Sequence, residues 1–470
     1  MILSIDQGTT GTTCLVVDDR LQVIGRGYRE LTQSFPQPGW VEHDPVEIWG
    51  SVLATAEAAL ADAGRDAHDL RAIGITNQRE TTVVWDRGTG RPLHPAIVWQ
   101  DRRTAAACAE LPAELIRERT GLVPDPYFSA SKLRWLLDRF AAPDLAFGTI
   151  DSWLVWNLTR GGVHAVDRTN ASRTMLYSLR AGDWDPELLG IFGVDPGILP
   201  RIVPSAGQVG DAELLGATIP ICGIAGDQHA ALFGQGCVVA GQCKATYGTG
   251  AFVLTHTGDD CAPPPFGLLR TTAAQPDAFA LEGAVFIAGA ALQWLRDGLG
   301  VIDSAAESEA LARSVDSTGG VAFVPALTGL GSPWWDAEAR GMISGITRGT
   351  TRAHLVRAGL EAIAHQVRDV IDAGGRPPSV IRADGGAVAN RFLMQLQADL
   401  VGAPVEVSAE PEMTGIGAAA LAGIGAGVWS SAAEVAALHR PGERFEPTMD
   451  RADADALHDA WRTAVARARS

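Results

Sequence analysis

Ile219-Pro220-Ile221-Cys222-Gly223-Ile224-Ala225-Gly226-Asp227-Gln228-His229-Ala230-Ala231-Leu232-Phe233-Gly234-Gln235-Gly236 is the stretch from which the rest of the chain is read. An apolar run that ends in Gly226 and then delivers an acid predicts a buried strand, with Asp227 at the crevice where open α/β sheets bind ligands. Residues 230–233 open a helix. A carboxylate held there can take a proton from a hydroxyl or hold a metal-bound water, the tasks that phosphoryl transfer leaves to a protein side chain. Taken alone, an Asp after a strand is more often a helix N-cap. Two Gly/Thr hairpins, one on either side of it in sequence, favour the chemical role.

The first follows an apolar strand at residues 2–5 and reads Asp6-Gln7-Gly8-Thr9-Thr10-Gly11-Thr12-Thr13 before a strand resumes at 14–17. Glycine amides and the hydroxyls of Thr9, Thr10, Thr12 and Thr13 can surround an anion without any lysine. The second repeats the pattern: a strand at 243–246, the tip Tyr247-Gly248-Thr249-Gly250, and a return strand at 251–255. Two halves opened by the same device predict a duplicated architecture with a nucleotide clamped between them. Strands alternating with long helices make each half an α/β layered domain. The clearest helix is announced by Asp44-Pro45-Val46-Glu47, an N-cap, a first-turn proline and an acid, and it ends at Gly64.

Further candidates lie at strand ends. Arg79 and Glu80, within Asn77-Gln78-Arg79-Glu80-Thr81-Thr82, offer donors and acceptors that suit a ligand rich in hydroxyls, or else form a surface ion pair. Trp99 ends another strand and can wall a pocket or simply fill the core. Ser129-Ala130-Ser131-Lys132 imitates the nucleophile motif of penicillin-binding enzymes, but the Ser-Asp-Asn and Lys-Thr-Gly partners are missing. Asp384-Gly385-Gly386-Ala387-Val388-Ala389-Asn390 sets glycines between a strand and a helix, where a flat or charged ligand can approach. Gly415-Ile416-Gly417 resembles a dinucleotide fingerprint without the strand-to-turn junction that motif needs, so residues 415–429 are expected to be a tightly packed core helix.

Composition narrows the field. A length of 470 residues predicts two domains, and a net charge of −17 argues against nucleic acid or an anionic membrane as partner. Lysine occurs only at 132 and 244, and neither position completes a P-loop. The six cysteines have no zinc-ligand spacing and read as reduced thiols. Met1 to Asp6 has no basic n-region and runs directly into a motif, so it is not expected to be a signal peptide; with no apolar run long enough to span a bilayer, a cytoplasmic location is expected.

Taken together, these motifs resemble the FGGY family of carbohydrate kinases almost from end to end. The likeness is carried by Asp6-Gln7-Gly8-Thr9-Thr10, by residues 38–45 (PGWVEHDP) and 74–82 (GITNQRETT), by residues 169–176 (TNASRTML) and 281–286 (LEGAVF), and by Asp384 to Asn390. The resemblance implies an α/β fold of two actin-like, ribonuclease H-like domains with an ATP and substrate cleft between them. Residues 1–236 are the expected N-terminal domain, with the polyol site and the first hairpin; residues 237–470 are the expected C-terminal domain, with the second hairpin and the adenosine site. The implied reaction is ATP-dependent phosphorylation of a small polyol, with glycerol the expected acceptor, sn-glycerol 3-phosphate the product and Mg2+ the metal. By the same resemblance Asp227 is the general base. Arg79, Glu80, Tyr127, Asp227 and Gln228 hold the hydroxyls, and Trp99 and Phe252 face the carbons. Thr9, Thr10, Gly11, Thr249, Gly289, Gln293, Gly386 and Asn390 bind the nucleotide, while Asp6 and Asp227 serve the metal. A homo-oligomer, dimer or tetramer, is the family's usual state.

Departures matter as well. Gly11-Thr12-Thr13 stands where members usually have Ser-Ser-Arg, His229 where a glutamine is common, and Gly359 where a larger residue is usual. Regulated bacterial members bind fructose bisphosphate on a basic, Gly-rich loop; the corresponding residues 211–219 here carry Asp211 and Glu213 and no basic side chain, so that control is not expected. Two other readings stand beside the first. One is a kinase of the same family acting on erythritol, dihydroxyacetone or xylulose. The other is an actin-like ATPase without a polyol, in which Arg79 and Glu80 would have no purpose.

Overall fold

The computed structural model describes residues 1–141 and 144–469, so residue 470, the expected end of the second domain, lies outside the described residues. Ile2–Gln7 (β1) and Gly11–Val17 (β2) form an antiparallel hairpin, Val23–Glu30 (β3) extends it, and Ala72–Asn77 (β4) runs parallel on the far side of β1. Ala206–Leu214 (β5) and Ala217–Gly226 (β6) pair antiparallel, and β6 lies parallel beside β4. The sheet therefore runs β5-β6-β4-β1-β2-β3.

The second sheet repeats this plan. Cys243–Tyr247 (β7) and Ala251–Gly258 (β8) are its hairpin, followed by Leu269–Thr272 (β9), Phe279–Val285 (β10), Ile381–Asp384 (β11), Val405–Ser408 (β12) and Pro441–Phe445 (β13). Its order is β9-β10-β8-β7-β11-β12-β13. Reading β3-β2-β1-β4-β6 against β10-β8-β7-β11-β12 gives the same succession of antiparallel, antiparallel, parallel and parallel pairs. The duplication expected from the two Gly/Thr hairpins is thus a duplication of ribonuclease H-like topology.

Helices complete the layers. Pro45–Ala63 (α1) starts as expected: Asp44 accepts from the Val46 amide, Pro45 sits in the first turn, and Gly64 ends the helix at φ 61°. Its buried face, Ile48, Val52, Ala56 and Leu60, covers the first sheet, contributing about 1.5–3 kcal/mol for each large side chain. Ser129–Leu137 (α2) belongs to the segment between β4 and β5, and Asp227–Gly234 (α3) leaves the end of β6 directly. Gly289–Asp297 (α4), Arg352–Ala373 (α5) and Arg391–Val401 (α6) pack on the second sheet, as does part of Arg451–Ala468 (α8).

Met413–Gly425 (α7) does not join them: it crosses to the first sheet, where it lies against β6, β4 and β1. Its approach is close enough that added methyl groups at Gly74 or Gly223 would strike the backbone of α7, and one at Gly417 would strike the backbone of α3. Ser4 Oγ donates to the Gly415 carbonyl at 2.7 Å, so the helix is pinned to β1 as well. The packed core helix expected over residues 415–429 is present but ends at Gly425, and residues 426–429 turn away from it.

Gly359, on α5, finds its reason here too. A Cβ at this position would come within 2.9 Å of Leu295 Cδ1, so the leucine occupies the space of the larger residue. Five of the six cysteines are buried, and all six are free thiols. Among the described residues no helix is long and apolar enough to cross a membrane.

Candidate functional site

A cavity of about 650 Å³ opens where the two hairpins face each other. It gathers Thr9, Thr10, Arg79, Glu80, Trp99, Tyr127, Asp227, Gln228, Thr249 and Phe252 from both halves of the chain.

The hairpin tips are built alike. Gly8 N donates to Gly11 O at 2.9 Å and Gly248 N to Gly250 O at 2.9 Å, leaving Thr9, Thr10 and Thr249 at the turns. The first tip is shorter than the sequence led us to expect. Thr12 lies inside β2 and its hydroxyl pairs with Ser51 on α1 at 2.7 Å; Thr13, paired with Asp6 in the ladder, is also buried. Threonine is a good strand former, so the ladder claims both.

Asp227 is placed by its surroundings. The preceding Gly226 N donates to Thr169 Oγ1 at 2.9 Å, and Thr169 is held in turn by the buried Asp167 carboxylate. Arg79 Nε lies 3.1 Å from Asp227 Oδ1, and the Gln228 amide donates to the same oxygen at 2.6 Å. A methyl at Gly226 would meet Arg79 Cγ at 2.6 Å, so glycine is what lets the arginine lie alongside the acid.

Arg79 and Glu80 are no surface pair. Both are buried, and Glu80 takes a left-handed φ of 61° just past β4. Arg79 bonds Glu282 of β10 through Nη1 at 2.6 Å and Nη2 at 2.9 Å; Arg173 bonds Glu80 at 2.5 Å and reaches Glu282 at 3.2 Å. Burial alone would raise the Glu282 carboxyl, but Arg173 and Arg79 outweigh it and hold it well below the usual carboxylate range. Burial also pushes Glu80 up, opposed by the same two arginines. Glu282, Arg173 and Lys244 were not among the expected site residues. An acid inside the apolar β10, and one of the chain's two lysines inside β7, are the signals that mark two of them.

Aromatic rings wall the cavity. Trp99 meets Tyr127 edge-on with centroids 5.5 Å apart and Phe252 at 6.3 Å. Trp99 stands beyond its two-residue strand, Ala96–Ile97, and its indole Nε1 donates to Thr9 Oγ1 at 2.8 Å. The wall of one subsite is therefore tied to the tip of the first hairpin. Gln228 Oε1 accepts from Lys244 Nζ, which also donates to Thr246 Oγ1 at 2.8 Å.

Asp6 stands at the end of β1, where burial first, then the negative charge of Asp227, pushes its carboxyl up to about 8. A buried carboxyl with a second carboxylate close by suits a cation near the two. Among the described residues no group of three or more His, Cys, Asp or Glu is placed to hold a metal by itself. Mg2+ commonly uses one or two carboxylates together with substrate phosphates and water, and this donor set fits it.

Other expected residues lie apart from the cavity. Gly11 is buried against Tyr28. Gly289 spends its amide on Gly248 O at 2.9 Å, bracing the second hairpin from behind. Gln293 and Gly386 are exposed, and Asn390 caps α6 through the Leu393 amide at 2.9 Å. His229 is fully buried and faces Thr271 Oγ1 at 3.1 Å; burial, then Arg79, holds the ring well below its usual pKa, so it is neutral and turned from the cavity.

Comparison with known proteins identifies the family. Residues 1–234 match the N-terminal domain model of the FGGY family of carbohydrate kinases, and residues 243–426 match its C-terminal domain model. The chain is 51% identical to the glycerol kinase of Paracidovorax citrulli over 99% of both chains. It is 50% identical to glycerol kinase 2 of Thermotoga maritima, covering 99% of this chain and 98% of that one. The crystal structure of Plasmodium falciparum glycerol kinase with ADP superposes with a TM-score of 0.92 at 35% identity, over 99% of this chain and 98% of that one. With two matching hairpin domains and an acid between them, the chain belongs to the FGGY family of carbohydrate kinases.

Proposed function

We propose that this chain transfers the γ-phosphoryl group of ATP to a terminal hydroxyl of glycerol, giving sn-glycerol 3-phosphate and ADP. The observation that carries the reading is the convergence, in one cavity, of Asp227, a hydroxyl-binding set (Arg79, Glu80, Tyr127, Gln228) and two Gly/Thr hairpins. The names of the relatives support the same acceptor. An ATPase without a polyol would need Arg79 and Glu80 for their buried ion pairs alone, and would have no use for them in the lining of the cavity.

Asp227 accepts the proton of the attacking hydroxyl as its oxygen meets the γ-phosphorus. Arg79 and Glu80 fix the neighbouring hydroxyls, with the guanidinium donating and the carboxylate accepting. Trp99 and Phe252 lie against the carbon skeleton, so a short acceptor is aligned by its edges and its faces. The hairpin amides and threonine hydroxyls meet the phosphate oxygens. Asp6 and Asp227 would hold Mg2+, which supplies charge neutralisation on the phosphates when bound. Gly289, Gln293, Gly386 and Asn390 belong to the nucleotide side in this proposal, within a second domain of residues 237–470; residues 1–236 supply the acceptor side. A cytoplasmic location and a homo-oligomeric assembly belong to the same proposal.

A coupled ADP-release assay with ATP and Mg2+ tests it against glycerol, dihydroxyacetone, erythritol, xylulose and a blank without polyol. The highest kcat/KM is expected for glycerol. A higher value for another acceptor moves the substrate within the family, and equal ADP release in the blank refutes the kinase reading.

A further inference from the structure

The Ser129-Ala130-Ser131-Lys132 motif has no catalytic partners, yet its two outer side chains are fully buried and both are engaged. Ser129 Oγ donates to the Glu80 carbonyl at 3.0 Å. Lys132 Nζ donates to three successive carbonyls, Pro126 at 2.9 Å, Tyr127 at 2.7 Å and Phe128 at 3.1 Å. Glu80 and Tyr127 are both cavity residues, on separate loops, and the first turn of α2 grips each of them from behind.

Lys132 stands where two costs oppose it. It is a cation in the first turn of a helix, where the backbone dipole favours an anion, and it is buried. What those costs secure is geometry. An ammonium has three donors splayed about one atom, matching three carbonyls that converge on a point, whereas the planar guanidinium fork of arginine presents its donors in one plane. In a chain whose 38 basic residues include only two lysines, that distinction is informative. Glu80 needs holding for a second reason: a non-glycine residue at φ 61° persists only when its surroundings fix it.

We propose that Ser129 and Lys132 are positioning residues, a two-pronged clamp at the start of α2 that sets Glu80 and Tyr127 in register for the polyol. The clamp touches neither substrate nor nucleotide. Its expression in kinetics rests on the polyol reading above, so the test includes an arm that does not.

Lys132→Met and Ser129→Ala are compared with the wild type by steady-state kinetics and by amide hydrogen exchange read by mass spectrometry. For Lys132→Met the KM for glycerol rises about 10-fold or more, because small displacements of positioning groups are costly. For Ser129→Ala, which removes one hydrogen bond, it rises about 5-fold. The KM for ATP changes little in both. Exchange quickens in the segments 125–129 and 79–82, respectively, and not in α5. The proposal is overturned if both variants lose melting temperature only, with the glycerol KM and the exchange of these two segments unchanged. If Lys132→Met does not fold, Ser129→Ala decides through segment 79–82 and the glycerol KM. If the two segments loosen but no form of the enzyme, wild type included, shows polyol-dependent turnover, the clamp stands and the polyol assignment falls.

Discussion

Arg79 and Glu282 join the two halves of the chain through a two-pronged ion pair, at 2.6 and 2.9 Å, with both side chains almost wholly excluded from solvent. Arg173 and Glu80 extend it to two arginines and two glutamates whose formal charges cancel. Such a set tolerates burial only while it is complete. Glu282→Gln keeps the volume and leaves two guanidinium groups short of an anion. The expected loss is about 3–5 kcal/mol of unfolding free energy, read by urea denaturation, with a raised KM for glycerol because Arg79 is no longer held from behind. An unchanged urea midpoint would show that the pair is not structural.

Asp227→Asn preserves shape and removes the proton acceptor. Turnover should fall by about 10² to 10⁴, while circular dichroism and the melting temperature stay near those of the wild type. Near-normal turnover in the folded variant would assign the base elsewhere.

Histidines buried in the neutral form set the acid side of stability. His164 lies within hydrogen-bonding distance of the Phe147 carbonyl through Nε2, at 2.8 Å, and of Arg87 Nη2 through Nδ1, at 3.2 Å; only one neutral tautomer satisfies both. Burial, then Arg87, lowers its pKa to about 4, against an ordinary value near 6.5. Below pH 6.5 the unfolded chain gains a proton that the folded one refuses, so stability falls as pH drops from about 6.5 to about 4. The slope is about 1.4 kcal/mol per pH unit for one such group. His43, also lowered to about 4 by burial, adds its own share. A plot of melting temperature against pH should be flatter over that window in His164→Gln; an identical slope would mean that His164 is protonated in the folded state.

Fructose bisphosphate at millimolar concentration, with free Mg2+ held constant, should leave the rate unchanged. The hairpin of β5 and β6 presents Asp211 and Glu213, whose carboxylates take hydrogen bonds from Gln208 and Thr218, and the one cation paired with them among the described residues, Arg160 at 4.0 Å from Glu213, is set against two acids that repel a doubly phosphorylated sugar. Depression of the rate by that anion would mean that another surface binds it.

Much of this site was legible because its signals are local. A strand that runs out at Gly226, the acid after it, and the helix that follows are read from adjacent residues, as are the hairpin tips with Thr9, Thr10 and Thr249. The length of the first tip was not, since threonine serves a loop and a ladder equally, and only the ladder partner and Ser51 decide for Thr12. Glu282 and Arg173 were opaque for another reason. They act on residues about 200 and 90 positions away in sequence, and no pattern along the chain reveals that Arg79 needs one and Glu80 the other. His229 drew notice by its neighbours in sequence, yet its position within α3 turns it toward Thr271.

The contacts of α7 with the first sheet and with α3 carry a consequence for how this gene can vary. At Gly74, Gly223 and Gly417 the obstacle to one additional methyl group is main chain, which no change of side-chain conformation can move aside. Glycine and alanine codons differ by a single base, so the most conservative of mutations is, at these positions, among the most damaging. Sequence drift at this contact must therefore be asymmetric: the alanines of α7 can shrink at modest cost, while Gly417 on the helix and Gly74 and Gly223 on the strands beneath it cannot grow.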